Sequence, residues 1–306
     1  MNKKILAALA VITLIAPVAA KAETPQQPTL AILDTAIDMT VPSIAKNVVY
    51  EACVLEWGVC PNTKSLMEGP GSATLPHPYV AINGFDHGTQ MAAAAIQANP
   101  NVKIVFVRII GNNPDGSRKV AGNQTIVNAL NWVLQNKDRF NIQAVSMSQS
   151  NHILGPAGTD YCPKNPTIQG LLTALKDKNV GVFFPAGNVR DYSRISFPSC
   201  LPEAIAVGAT MPTQEVAIYS NYDAKLIDFV ALGTMRLTSA GNKQVNVAGT
   251  SASTQVAASS WVAVKSIKPN LTYQETLDLF NRTAILTKNS KVTGAKLINL
   301  RGALNG

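Results

Sequence analysis

Four polar side chains, an Asp at 34, a His at 87, an Asn at 188 and a Ser at 251, supply the groups that acyl transfer by a hydroxyl nucleophile requires. A Ser hydroxyl is a poor nucleophile until a base within hydrogen-bond reach takes its proton. An imidazole can be that base when a carboxylate holds its orientation and its charge, and an amide N–H can donate to the oxyanion that forms. The order Asp, His, Ser is one of three unrelated chain orders in which such a triad occurs. Each residue also has an ordinary explanation. Ser251 sits in a Gly-Thr-Ser turn within residues 247–257, where Ser commonly caps a helix. Asp34 and Asn188 suit turns, and His87 is one of only three histidines, of which His77 and His152 lack comparable context.

The positions of the four depend on the elements that carry them. Residues 29–33 (Thr-Leu-Ala-Ile-Leu) form an apolar run that predicts a buried strand ending at Asp34. Residues 102–110, 142–148, 180–184, 204–209 and 228–232 predict further strands. Between them lie helical segments: a small-residue run at 90–96 following His87, then 125–138, 166–177, the helix carrying Ser251, and one from 272 to about 284 opened by the capping box Thr272-Tyr273-Gln274-Glu275. Strands alternating with helices of this length imply parallel βαβ units. Asp34 and Asn188 then fall at carboxyl ends of strands, where open α/β sheets place their sites. Ser251 falls in the first turn of a helix, whose unpaired N–H groups and dipole favour a developing negative charge. Residues 40–80 hold Gly, Pro and two cysteines with little periodicity and read as an irregular excursion.

Taken together, these motifs resemble the subtilisin-like serine peptidases, the subtilase family. Leu33-Asp34-Thr35 resembles the family's Asp motif, His87-Gly88-Thr89 its His motif, Ala186-Gly187-Asn188 its oxyanion motif and Gly249-Thr250-Ser251 its Ser motif. Further likenesses are Met147-Ser148, residues 205–209 and residues 294–300, so the resemblance spans about residues 30–304. It implies an α/β fold of subtilisin type, a predominantly parallel β-sheet flanked by helices on both faces. It also implies Ser251 as nucleophile, His87 as general base and then acid, Asp34 as the partner of the imidazole and Asn188 as oxyanion donor. Ser148, Gln149 and Ser150 would bind extended substrate backbone as an added strand, making a polypeptide the substrate. The resemblance brings calcium as an ion that stabilises the fold, although no acidic cluster marks its ligands; the chemistry itself calls for no cofactor and no metal.

The chain departs from the family at several places. Ala36 stands where Gly is usual, Gln90 and Ala93 replace His and Gly on the His helix, and Ala252-Ser253-Thr254-Gln255 replaces a Met-Ala-x-Pro pattern. Ser148-Gln149-Ser150 lacks the usual Gly. Only 11 residues (23–33) separate the expected cleavage point from Asp34, too few for a folding propeptide. An alternative reading is therefore a weak or inactive scaffold that binds peptide or a partner protein.

Composition bounds the rest. With 46% hydrophobic and 14% charged residues in 306, the chain can bury a full core. Residues 1–22 carry a basic start, an apolar run and Ala20-Lys21-Ala22, the pattern of a bacterial signal peptide, leaving 23–306 as one peptidase domain with no stable membrane anchor. Losing three lysines with that segment lowers the formal charge from +8 to about +5. Without a long basic cluster, this is a solvated surface and not a nucleic-acid footprint. In an exported protein, periplasmic or secreted, the four cysteines read as two disulfides. Of three possible pairings, local spacing favours Cys53 with Cys60 and Cys162 with Cys200.

Overall fold

The computed structural model describes residues 27–81, 84–113, 115–153, 161–287, 292 and 294–306; the expected signal peptide lies outside the described residues. The first half of the chain runs β1 (Thr29–Asp34), α1 (Pro42–Ala45), β2 (Val48–Val54), β3 (Leu66–Glu68), α2 (His87–Ala98), β4 (Lys103–Arg108), α3 (Asn123–Asn136) and β5 (Ile142–Met147). The second half runs α4 (Pro166–Asp177), β6 (Gly181–Pro185), β7 (Ile205–Thr210), β8 (Phe229–Leu232), β9 (Thr234–Ser239), β10 (Lys243–Ala248), α5 (Thr250–Ile267), α6 (Tyr273–Thr283), β11 (Ile285–Leu286), β12 (Lys296–Leu297) and α7 (Leu300–Asn305).

All six residues of β1 are buried, because both faces of the strand are covered. Ala31 and Leu33 point into a core with Ile126, Leu130 and Val133 of α3 and Leu172 and Leu175 of α4. Leu30 and Ile32 point into a second core with Met91 and Ala92 of α2 and Trp261 and Val262 of α5. This two-residue alternation turns one apolar run into the partition between two helical layers. Ten strands follow the order β11-β12-β8-β7-β6-β5-β1-β4-β2-β3. Pairing is parallel except for β3 on β2 and β11 on β12. The order reverses at β1, which lies between β5 and β4, so a crevice opens beyond the carboxyl end of β1.

α5 is buried nearly all round despite its many hydroxyl groups. Those hydroxyls are satisfied inside the helix: Ser253 and Thr254 donate to the Thr250 carbonyl at 2.9 and 2.7 Å, and Ser260 donates to Val256 at 2.8 Å. Their small size lets α2 lie close, and the Ser259 hydroxyl donates across to the Ala95 carbonyl at 2.8 Å. The capping box is present as expected, Thr272 Oγ1 accepting from Glu275 N at 3.2 Å and Glu275 Oε2 accepting from Thr272 N at 2.8 Å.

Residues 40–80 are not the irregular excursion that their composition suggests. They contain β2, which pairs parallel with β4, and β3. Only the last four residues of β2 are buried, so the strand has no alternation for a sequence to display. The hairpin β9–β10 and the terminal α7 were likewise unforeseen. Disulfides join Cys53 to Cys60 and Cys162 to Cys200, with Cα–Cα distances of 6.0 and 5.7 Å, as local spacing favours.

Candidate active site

Asp34 is the last residue of β1 and is fully buried. Its Oδ1 lies 2.7 Å from His87 Nδ1 and accepts the Thr35 backbone N–H at 2.7 Å. Its Oδ2 is buried without a hydrogen-bond partner among the described residues, so His87 is the only side chain paired with this carboxylate. His87 is the first residue of α2 and keeps 23% of its side chain exposed. Burial depresses its basicity, but the Asp34 carboxylate outweighs burial and raises the pKa above the ordinary histidine value of 6.5.

The first turn of α2 is fastened to the end of β1 by Thr35. Its hydroxyl donates to the Phe85 carbonyl at 2.9 Å and accepts the Gly88 N–H at 2.8 Å. Gly88 has to be glycine here. A Cβ at this position would stand 2.4 Å from the Ala36 carbonyl oxygen and 2.7 Å from the Phe106 ring.

Ser251 is the second residue of α5 and does not cap it; Gly249 holds the N-cap position. Its backbone carbonyl accepts the Ser148 hydroxyl at 3.2 Å, and Ser148 Oγ accepts Gln255 Nε2 at 2.9 Å. Ser148 follows β5, where the register pairs Leu33 with Met147. Asp34 and Ser148 therefore occupy neighbouring positions on adjacent strands, about 4.8 Å apart. His87 is tied to the first through its side chain and Ser251 to the second through its backbone carbonyl, so both residues are anchored at the carboxyl ends of adjacent strands. Among the described residues Ser251 Oγ makes no hydrogen bond, so the contact to the imidazole is not closed in this structure.

Asn188 follows β6 and is exposed. Its Oδ1 accepts Thr250 N at 2.9 Å and Thr250 Oγ1 at 3.0 Å, leaving Nδ2 as the outward donor. A Cβ placed on Gly249 would lie 3.7 Å from Asn188 Nδ2 and 3.8 Å from Ser251 N, so these two nitrogens flank one small space at the start of α5. Gly187 sets this loop at φ +112°, and a Cβ there would fall 2.3 Å from Ser196 Oγ.

Ser148, Gln149 and Ser150 follow the carboxyl end of β5. The Ser148 hydroxyl is turned toward α5, while Gln149 is half-buried and Ser150 exposed. Thr35, Thr250 and Gln255 were not foreseen as parts of the site. Gln255 left a visible signal, as the one long amide in a helix of small and apolar residues. No group of three or more His, Cys, Asp or Glu that could hold a metal ion converges among the described residues. Among the described residues no helix is long and apolar enough to cross a membrane.

The sequence profile of the Subtilase family matches residues 26–302. Alkaline elastase YaB from Bacillus sp. (strain YaB) is 28% identical over 260 residues, covering 82% of this chain and 63% of that protein. Subtilisin Savinase from Lederbergia lenta is 26% identical over 267 residues, covering 83% of this chain and 90% of its own. Among solved structures, a lanthipeptide protease superposes with a TM-score of 0.68 at 17% identity, covering 91% of this chain and 87% of that one. A cold-adapted subtilisin-like serine proteinase gives 0.63 at 20% identity, covering 88% and 87%. These likenesses establish a subtilisin-like fold.

Proposed function

Because this chain belongs to the subtilase family, we propose that it is an exported serine endopeptidase acting through Asp34, His87 and Ser251, with Asn188 in the oxyanion hole. The 2.7 Å contact between Asp34 Oδ1 and His87 Nδ1, at the carboxyl end of β1, carries this reading. With Nδ1 engaged, the imidazole keeps Nε2 free to accept a proton. Ser251 Oγ then attacks a peptide carbonyl as His87 takes its proton, and Asp34 stabilises the imidazolium. The oxyanion meets Asn188 Nδ2 and the Ser251 N–H. His87 returns its proton to the leaving amine, and water, deprotonated by the same imidazole, releases the acyl group. Extended substrate backbone runs along residues 148–150 as an added strand. Export is supported by the composition of residues 1–22 and by the two disulfides, which persist in oxidising compartments.

A fluorophosphonate probe tests the proposal. It is expected to label Ser251 in the native protein and to leave the Ser251→Ala variant unlabelled, with casein cleavage lost in parallel. A folded protein that neither labels nor cleaves across a range of pH, with and without calcium, sinks the reading.

The unclosed contact at Ser251 Oγ favours a second reading, a scaffold that binds peptides without cutting them. It predicts saturable peptide binding that Ser251→Ala leaves intact, and full recovery of the peptide after long incubation.

A further inference from the structure

The charges around the crevice divide by whether they already have partners. The acids are hydrogen-bonded, although Asp86 and Asp115 accept from neutral donors that leave their charge in place. Asp34 holds His87, and Asp86 Oδ2 accepts Gln90 Nε2 at 2.7 Å and Ser239 Oγ at 3.1 Å. Asp115 Oδ1 accepts the Ser117 N–H at 2.8 Å and its hydroxyl at 2.6 Å, while Asp191 takes Arg194 Nε at 2.7 Å. The rim cations Arg118 and Arg190 are exposed and make no ion pair among the described residues.

Arg118 stands beside the turn that delivers the imidazole. Its backbone bridges Asn112 across the loop after β4. Its guanidinium reaches Gly84, where a Cβ would lie 3.8 Å from both Cζ and Nη1. The Gly84 carbonyl accepts the His87 N–H at 3.4 Å, so the cation contacts the turn that leads into α2. Arg190 lies two residues past Asn188, its backbone N–H held by the Tyr219 carbonyl at 3.0 Å.

We propose that this crevice selects acidic peptides, and that Arg118 is the specificity-determining residue, pairing with an Asp or Glu side chain of the substrate on the His87 side of the scissile bond. The inference rests on the peptidase reading and narrows it to a substrate class. A peptide lying over residues 84–87 would bring its side chains to a guanidinium that has no ion-pair partner among the described residues, where a carboxylate is attracted and an ammonium repelled. The charge of Arg118 also opposes protonation of His87, to a lesser degree than Asp34 favours it.

The test is a set of matched fluorogenic peptides carrying Glu, Gln or Lys at each position in turn around the cleaved bond, assayed with the full chain and with Arg118→Ala and Arg118→Glu. The native protein is expected to prefer Glu over Gln by at least about threefold in kcat/KM at one position, mostly through KM, with Lys worst. The preference falls away in Arg118→Ala, turns toward Lys in Arg118→Glu and shrinks in 0.5 M salt, on the order of a 4 Å screening length. In Arg118→Ala the acid limb of the pH profile also moves upward. Equal cleavage of all three peptides by a protein that labels with fluorophosphonate, or a Glu preference that survives Arg118→Glu, overturns the assignment of Arg118 while leaving the peptidase reading intact. Absence of both labelling and cleavage overturns both.

Discussion

Asp34 bonds to one side chain, so its charge governs both the protonation and the orientation of His87. The base must be neutral, and its pKa lies above 6.5, so kcat/KM and the rate of fluorophosphonate labelling should rise with pH through that raised value. Stability runs the other way. A histidine whose folded pKa exceeds its unfolded one contributes stability that is complete below the unfolded value and lost as pH climbs through the folded value. Asp34→Asn should lower kcat on the order of 10⁴-fold and shift the acid limb of the surviving activity downward, read from a full pH profile. Asn188→Ala should cost roughly 10²- to 10³-fold in kcat, the loss found in subtilisin for its oxyanion asparagine. Gln255 acts at one remove: its amide orients the Ser148 hydroxyl that bonds the Ser251 carbonyl. Gln255→Leu should therefore lower kcat by roughly tenfold with KM little changed, a kcat-selective loss of the sort expected for an interaction used mainly in the transition state. Equal loss in kcat and in thermal stability alone, with the pH profile unmoved in Asp34→Asn, would refute this division of roles. Asp34, His87, Asn188 and Ser251 were legible as candidates because they stand at predicted element ends in an informative order, and histidine is scarce in the chain. Thr35 and Thr250 were not, because a threonine beside a reactive residue looks the same in sequence whether its hydroxyl faces water or a neighbouring backbone.

At the scale of elements, α2 and α5 set the site by how closely they approach the sheet and each other. Gly88 marks the tightest point, where α2 meets the chain leaving β1. Gly88→Ala should destabilise the fold by about 1–3 kcal/mol, as overpacking does, and slow Ser251 labelling more than it slows peptide binding. Urea unfolding and labelling kinetics measure the two separately; unchanged values in both would mean that α2 shifts without cost. The strands of the central sheet were readable because burial on both faces leaves an uninterrupted apolar run. β2 was not, since its first half is partly exposed and it carries Glu51 among its buried residues. That glutamate is not idle: Oε1 accepts the Gly71 N–H at 3.0 Å. β9 does alternate, with Met235, Leu237 and Ser239 inward, and its turn contains Gly241 at φ +68° and Asn242 at φ +59°. Those are ordinary hairpin signals, masked here by the polar residues of β10.

For the whole molecule, sheet order is what no local pattern discloses. That β1 lies between β4 and β5, pairing Thr29 with Lys103 on one side and Ile142 on the other, depends on which strands bury best together across long stretches of chain, and this placement opens the crevice. The same long-range logic separates the two disulfides. Cys53–Cys60 spans 7 residues and Cys162–Cys200 spans 38. Restricting the unfolded chain favours the longer loop, so removing Cys162–Cys200 should cost about 4 kcal/mol and removing Cys53–Cys60 about 2.5 kcal/mol. Their effects on chemistry should differ more sharply. Cys200 closes the segment that buttresses the end of β6, where Ser196 N–H donates to the Ala186 carbonyl at 2.7 Å and the Ser199 hydroxyl to the Pro185 carbonyl at 2.5 Å. That end of β6 carries Gly187 and Asn188, so a Cys162→Ala/Cys200→Ala variant should lose kcat even under conditions where it remains folded. Cys53→Ala/Cys60→Ala should retain it, because its disulfide closes a small cluster with Leu55 and Met67 on the far side of β4. Guanidinium unfolding ranks the stabilities, and turnover measured well below each midpoint ranks the chemistry. Equal turnover in the two folded variants would detach the longer disulfide from the oxyanion loop and leave it a purely structural tie.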